Sequence, residues 1–161
     1  MKTNLINKTV AMLLVSLFGV MVSSADPYAK GGKLESFSAE DQHGKEYEFK
    51  PSAMKYLLVS HDMDTGKKAN AVLTTLGKDY LSNHKAVYLA NIYGMPGIGR
   101  MFAIPKMKKY AHRIILGDDE KLIAKFPEEK GKVTVIGISG GKVKSLAYWA
   151  PGESDISAYV K

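Results

Sequence analysis

The stretch that decides the fold is residues 56–90, which read YLLVSHDMDTGKKANAVLTTLGKDYLSNHKAVYLA. Residues 56–60 form a short apolar run, which is typical of a strand covered on both faces. Between 67 and 81, apolar residues recur at spacings of three and four and predict a helix, with an inner face of Ala69, Val72, Leu73, Leu76 and Tyr80. A second apolar run occupies residues 86–90. This order predicts a βαβ unit whose two strands are parallel.

The flanking sequence adds elements on both sides of this unit. Towards the N-terminus, residues 34–37 and 45–49 predict a hairpin that Pro51 ends. Towards the C-terminus, residues 112–116 predict a third strand, and a helix is expected to start after Gly117. The last predicted elements are an antiparallel hairpin and a short capped helix. The hairpin comprises residues 133–138 and 143–149, with Trp149 in the core, and the helix comprises residues 152–160.

These elements predict one α/β domain over residues 34–161. Helices flank a central mixed sheet, and a β-hairpin precedes it. Residues 26–33 contain Pro27 and the pair Gly31-Gly32 and are predicted to be a flexible lead.

The first 25 residues have the order of a secretory signal peptide. Lysines without acids precede the apolar run 10–22, and Ser23 and Ala25 are the small residues expected before a cleavage site. That run has 13 residues, and spanning a bilayer takes roughly 20. We therefore expect a periplasmic protein that starts near Asp26 and keeps no stable membrane anchor.

The composition excludes several kinds of chemistry. The 161 residues contain no cysteine, so a disulfide scaffold, a thiol nucleophile, a dithiol redox centre and a cysteine metal site are ruled out. The chain is basic, with 23 Lys plus Arg against 16 Asp plus Glu. Its lysine clusters are not interleaved with stacking aromatics, and export argues against genomic DNA, so nucleic-acid binding is not expected.

The order of elements resembles that of thioredoxin-like redoxins. In those proteins the loop after the first core strand carries Cys-x-x-Cys at a helix start, whereas residues 61–68 here read HDMDTGKK. A cis-proline normally precedes the final hairpin, whereas this chain has Gly131-Lys132 there. The resemblance therefore implies the architecture without the redox chemistry.

Local patterns also resemble the YtfJ-like family of small exported proteins, which are thioredoxin-like and lack the dithiol. The matching pieces include His61 after the strand, Asn70-Ala71 in the helix, and Pro-Gly-x-Gly-x-Met-Phe at residues 96–102. Lys108-Lys109 with Tyr110 also match. This resemblance implies a periplasmic location and a fold, and it implies no reaction.

The candidate ligand site lies at the carboxyl end of the first core strand, where open α/β sheets place their ligands. His61, Lys67 and Lys68 are placed to surround the first helical turn, whose free N–H groups favour an anion. The alternative is that Asp64 or Thr65 caps this helix and that both lysines are solvated.

A second group belongs to the same candidate site. Gly97 and Gly99 precede a short helix, expected to open at residues 100–103 and to be interrupted or kinked by Pro105. Backbone N–H groups of this loop, with Arg100 as a bidentate partner, suit a phosphate or carboxylate. The glycines are equally explained by a turn that needs positive φ.

Copper binding is the alternative function. Thioether and imidazole ligands suit copper, and the candidate ligands are His61, Met63 and Met95. Met101 is expected to pack in the core beside Phe102. The third and least favoured function is an enzyme with His61 as general base, because the sequence contains no recognisable nucleophile for it.

The sequence thus predicts a binding protein without redox activity. Its expected partner is another protein or a small anion, and no cofactor is predicted.

Overall fold

The structure is a computed structural model that describes residues 26–161. Within this range the chain forms seven strands, four α-helices and two short 3₁₀ turns. The predicted signal peptide, residues 1–25, lies outside the described residues. Among residues 26–161, no helix combines the length and the apolarity needed to cross a bilayer.

The predicted N-terminal hairpin is present and comprises β1 (Phe37–Glu40) and β2 (Glu46–Phe49), but its first strand lies later than the predicted residues 34–37. The two strands pair antiparallel, with Phe37 opposite Phe49. The rings of these two residues stack with centroids 4.8 Å apart. A 3₁₀ turn that starts at Pro51 follows the hairpin.

The central sheet has five strands in the order β5-β4-β3-β6-β7. Their bounds are Tyr56–Ser60 for β3, Ala86–Asn91 for β4, Ile115–Gly117 for β5, Val133–Ser139 for β6 and Lys142–Trp149 for β7. The pairs β3/β4 and β4/β5 are parallel, whereas β3/β6 and β6/β7 are antiparallel. The predicted mixed sheet and its parallel βαβ unit are therefore confirmed.

Both faces of this sheet are covered, as the apolar runs predicted. Leu57 and Val59 of β3 belong to a core cluster with the N-terminal hairpin and residues 122–126. Leu58, between them, belongs to a second cluster that also contains Leu73 and Trp149. Period-two alternation of a strand explains the division, because successive side chains leave opposite faces.

The four helices are α1 (Met63–Leu76), α2 (Tyr80–Asn83), α3 (Gly97–Met107) and α4 (Glu120–Ile123). The single helix predicted over residues 67–81 is wrong at both ends. It starts earlier because Asp62 caps it. It ends at Gly77, whose φ of +91° an α-helix cannot adopt, and the chain restarts as α2.

The prediction for α3 also needs correction. The helix starts at Gly97 and continues through Pro105. The proline leaves the carbonyl of Met101 without its helical donor, and solvent can satisfy this carbonyl because Met101 is exposed. The third strand is also displaced, since His112 lies before β5.

The chain ends are joined to the domain. Within the predicted flexible lead, Tyr28 N donates to Lys125 O, and Gly31 N donates to Val143 O. The ring of Tyr28 packs at 5.5 Å from that of Phe126. At the C-terminus, the predicted helix is one 3₁₀ turn, Ile156–Ala158.

Candidate functional site

A cleft of about 190 Å³ opens at the carboxyl ends of β3 and β4, between the first turns of α1 and the length of α3. This is the end of the parallel strands at which a ligand site was predicted. Its lining consists of Ser60, Asp62, Met63, Gly66, Lys67, Asn70, Tyr88, Ala90, Asn91, Met95, Gly99, Phe102, Ala103, Lys106, Met107 and Tyr110. We call this feature the α1/α3 cleft.

The cleft brings together only part of the predicted site. Lys67 and Gly99 line it, as do the two methionines of the copper alternative, Met63 and Met95. The remaining predicted residues are not among those that line it, namely His61, Lys68, Gly97 and Arg100.

Asp62 is the residue that starts α1. Its Oδ1 accepts a hydrogen bond from Thr65 N at 2.9 Å, and its Oδ2 accepts one from Thr65 Oγ1 at 2.6 Å. Burial acts to raise the pKa of Asp62, but these hydrogen bonds outweigh it and hold the pKa below its usual value. The predicted cap at Asp64 or Thr65 is therefore wrong, because the helix starts one turn earlier than its apolar pattern.

His61 follows β3 on the side of β6. Its Nε2 lies 3.0 Å from Thr134 Oγ1, and that hydroxyl donates to Pro127 O at 2.5 Å. Because the hydroxyl proton is used there, the Nε2–H of His61 is the donor to Thr134. Burial lowers the pKa of His61, although the carboxylate of Glu128 acts in the opposite direction. The imidazole is therefore a neutral group joined to β6 near neutral pH.

The two lysines of α1 have different positions. Lys67 lines the cleft and pairs with Asp64, with 3.4 Å between Nζ and Oδ1. Both partners are largely exposed, so this ion pair contributes little to stability. Lys68 is also exposed. The predicted solvation of both lysines fits these positions.

The glycines of α3 have helical geometry and are not turn residues. Positive φ occurs at Gly94 (+75°) and not at Gly97 or Gly99, which corrects the expectation that the turn needs it there. A Cβ atom on Gly99 would lie 3.2 Å from Met95 Cγ. Gly99 therefore lets Met95 pack closely against the first turn of α3.

Arg100 is occupied by the protein itself. Its Nη2 donates to Asp118 Oδ1 at 2.6 Å, its Nη1 donates to Asp118 Oδ2, and its Nε donates to Met95 O at 3.0 Å. Nη2 also donates to Ile92 O at 3.1 Å. The carboxylate neutralises the guanidinium, and Arg100 in turn lowers the pKa of Asp118. Arg100 was predicted to bind a phosphate or carboxylate ligand, but the carboxylate that it binds is that of Asp118 in the same chain.

The exposed side of α3 is the main feature that the sequence analysis missed. None of the residues of α3 is buried, and Ile98, Met101 and Phe102 are 70%, 68% and 63% exposed. We call these three residues the α3 face. The prediction that Met101 packs in the core is therefore wrong. The spacing of three and four shows an apolar stripe, but it does not show whether the domain covers that stripe.

Beneath the cleft lies a buried polar layer. Tyr88 Oη and Ser60 Oγ are 2.9 Å apart. Asn70 Oδ1 lies 2.9 Å from His112 Nε2, and the ring of Tyr110 stacks on His112 with centroids 5.4 Å apart. Burial lowers the pKa of His112, so the imidazole is neutral and donates to Asn70. Strand and helix periodicity could not single out these pairs, because their members are far apart in sequence.

Asp119 and Trp149 have structural roles. Asp119 caps α4 by accepting from Leu122 N at 2.7 Å. Trp149 is fully buried, and its Nε1 donates to Ser154 O at 2.9 Å. The cap fits the helix start predicted after Gly117, and the burial of Trp149 fits its predicted core position.

The described residues contain no group of three or more histidines or acids arranged to hold a metal ion. Met63 and Met95 do share the cleft, but His61 is not among its lining residues and its Nε2 is bonded to Thr134. His61 therefore does not line the cleft with the two methionines.

Solved structures share this fold. The thioredoxin domain of a thiol-disulfide oxidoreductase from Bacteroides vulgatus matches with a TM-score of 0.53 and 13% identity, over 83% of this chain and 99% of that chain. A thio-disulfide isomerase from Thermus thermophilus matches with a TM-score of 0.51 and 18% identity, over 81% of this chain and 91% of that chain.

A peroxidoxin, BcpB from Mycobacterium tuberculosis, matches with a TM-score of 0.52 and 13% identity, over 82% of this chain and 91% of that chain. No family model and no curated protein matches this chain. At such identities the likeness establishes the fold alone. The chain has a thioredoxin-like fold and no cysteine.

Proposed function

We propose that this protein is a thioredoxin-like binding protein that performs no thiol–disulfide exchange and holds a segment of a partner protein in the α1/α3 cleft. The observation that carries the proposal is the α3 face, an apolar surface left uncovered beside a concave site. Exposed apolar groups that adjoin a cleft are typical of protein interaction sites.

The loss of the dithiol supports the binding function over a redox function. Thiol–disulfide exchange proceeds by attack of a thiolate on a disulfide, and the chain has no thiol to supply. The cleft nevertheless occupies the start of the helix after the first core strand. A partner that binds there would meet methionines, a phenylalanine and lysines.

The occupied cap of α1 favours a protein partner over a small anion. Asp62 already accepts from the N–H of Thr65, and its carboxylate places negative charge where an anion would bind. Arg100 has its own carboxylate in Asp118. An anion at this end of the sheet would therefore displace bonds that the protein makes internally.

We assign the protein to the periplasm on the pattern of residues 1–25, and to the YtfJ-like group on the motif at residues 96–102. N-terminal sequencing of protein from the periplasmic fraction tests the first assignment. A start near Asp26 is expected, and retention of residues 1–25 in that fraction would contradict it.

The binding proposal is tested by photo-crosslinking in cells that express the full chain. A benzophenone amino acid at position 102 reports on the α3 face, and the same group at position 52 is the matched control. Both positions are exposed, and position 52 precedes β3, at the opposite end of the sheet. Discrete adducts are expected at 102 and none at 52. Equal adducts at both, or none at 102, would contradict the proposal.

The absence of redox activity is tested separately, by the dithiothreitol-driven reduction of insulin. No acceleration over the uncatalysed rate is expected. Turnover by the purified protein would overturn that part of the proposal. No observation in the described residues favours copper binding as a second function.

A further inference from the structure

We propose that the segment held in the α1/α3 cleft is a short peptide region with one apolar anchor side chain flanked by carboxylates. This inference rests on the proposed function and specifies its ligand. It joins two observations: the size and lining of the cleft, and the charge of its rim.

The size of the cleft suits one side chain. Sites for whole small-molecule ligands usually have roughly 300–1,000 Å³, whereas this cleft has about 190 Å³. Most of its walls are apolar, with Met63, Met95, Phe102 and Met107 around the opening. Thioether side chains are flexible and polarizable, so they adapt to an aliphatic or aromatic anchor. A single buried anchor in a pocket is how many protein interfaces obtain most of their affinity.

The rim of the cleft is positive. Two lysines, Lys67 and Lys106, line it, and both are exposed. Of the nearby acids, Asp62 is used in the helix cap, and Asp64 forms an exposed pair with Lys67. Lys106 forms no ion pair among the described residues, so it places an uncompensated positive charge beside the apolar walls. Carboxylates on either side of the anchor complement this charge.

The concave shape favours a peptide over a membrane surface. An anionic bilayer would contact the convex α3 face and the lysines, but it would leave the cleft and its polar floor unused. In particular, the buried residues Ser60, Asn70 and Tyr88 line the cleft. A protruding side chain reaches this depth, whereas a flat surface does not.

A positional-scanning library of seven-residue peptides tests the inference. Protein purified from cells that express the full chain is incubated with the immobilised library. We expect retention of peptides with Leu, Met or Phe at one position and Asp or Glu within two positions of it. Binding of a retained peptide should weaken as sodium chloride is raised, because exposed charges are screened.

Four variants show where the retained peptides bind. Phe102→Asp should weaken binding at least about tenfold, the factor that corresponds to 1.4 kcal/mol, and Leu76→Asp is its control at the far end of α1. The double variant Lys67→Glu/Lys106→Glu should lose the preference for acidic flanks. Lys144→Glu, on the exposed side of β7, is the single charge-reversal control. Thermal unfolding verifies that each variant is folded.

The outcomes separate this inference from the proposed function. If retained peptides have other chemistry but depend on Phe102, the inference is overturned and the binding function stands. If no peptide is retained, or if the cleft variants retain peptides as well as wild type does, both the inference and the proposed function are overturned. If the protein sediments with phosphatidylglycerol vesicles and shows no selectivity among the peptides, a membrane ligand is favoured and the inference is overturned.

Discussion

Arg100 and Asp118 form a bidentate ion pair that joins the first turn of α3 to the turn between β5 and α4. The same guanidinium donates to the carbonyls of Ile92 and Met95, in the loop that leads into α3. Since no residue of α3 is fully buried, these bonds add to the packing of Met107 on the core in connecting the helix to the domain. Arg100 therefore acts as a positioning residue for the α3 face.

Removal of this connection should loosen α3 without unfolding the sheet. In Arg100→Ala we expect faster hydrogen exchange in residues 97–107, because the bonds to Asp118 and to both carbonyls are lost together. Asp118→Asn should have a smaller effect, since the two carbonyl bonds remain. Exchange measured by mass spectrometry provides the comparison, with β3 and β4 as internal references. Unchanged exchange in α3 would contradict a positioning role.

The cap of α1 gives a matched pair of variants. Asp62→Ala should lower the free energy of unfolding by about 1 kcal/mol, because Thr65 N loses its acceptor. Asp64→Ala should change it little, since the Asp64 side chain is exposed and only pairs with Lys67. Urea denaturation of both variants measures the difference. Equal losses would show that Asp62 is not the cap.

Buried His112 predicts a pH dependence of stability. Its native pKa lies below the usual value of about 6.5 because burial disfavours the charged ring. Between the two pKa values the unfolded chain binds more protons, so stability is full above 6.5 and falls as the pH decreases through this range. The slope attributable to His112 is at most about 1.4 kcal/mol per pH unit.

Denaturation of wild type and His112→Gln between pH 7.5 and 5.5 checks this dependence. The variant should show a shallower slope, and His61→Gln measures the separate contribution of the second histidine whose pKa is lowered. A wild-type protein that gains stability on acidification would refute the assignment of His112 as a neutral buried group.

Polar substitution of the α3 face should cost little stability. Met101→Ser and Phe102→Ser are expected to change the free energy of unfolding by no more than about 0.5 kcal/mol, because both side chains remain mostly in water. Leu73→Ala, at a fully buried position of α1, should cost about 2–5 kcal/mol. If the α3 face variants were as damaging as Leu73→Ala, that face would belong to the core and not to a binding surface.

The sheet could be predicted because its strands carry strong local signals. Residues 57–59 and 86–90 are apolar throughout, which is the pattern of a short strand covered on both faces. The ends of α1 were harder to predict from the sequence, because its first turn contains Met63, Asp64 and Thr65 and lacks the apolar repeat. The cap at Asp62 and the stop at Gly77 set those ends.

The candidate site could be predicted only in position. The carboxyl end of β3 follows from the βαβ unit, and the cleft lies there. Which residues belong to the site depends on contacts between distant parts of the chain, such as Arg100 with Asp118 and His61 with Thr134. A single sequence does not reveal these contacts. The α3 face was misassigned for a related reason, because an apolar stripe is the same in sequence whether the domain or a partner covers it.

The most direct test of the binding site is a nuclear magnetic resonance titration of the isotope-labelled protein with a peptide selected from the library. We expect amide shift changes concentrated in residues 62–67 and 95–107, which border the cleft. We also expect that Phe102→Asp abolishes these changes while Leu76→Asp preserves them. Shift changes concentrated on the edge strand β7, with residues 95–107 unaffected, would contradict the α1/α3 cleft as the binding site.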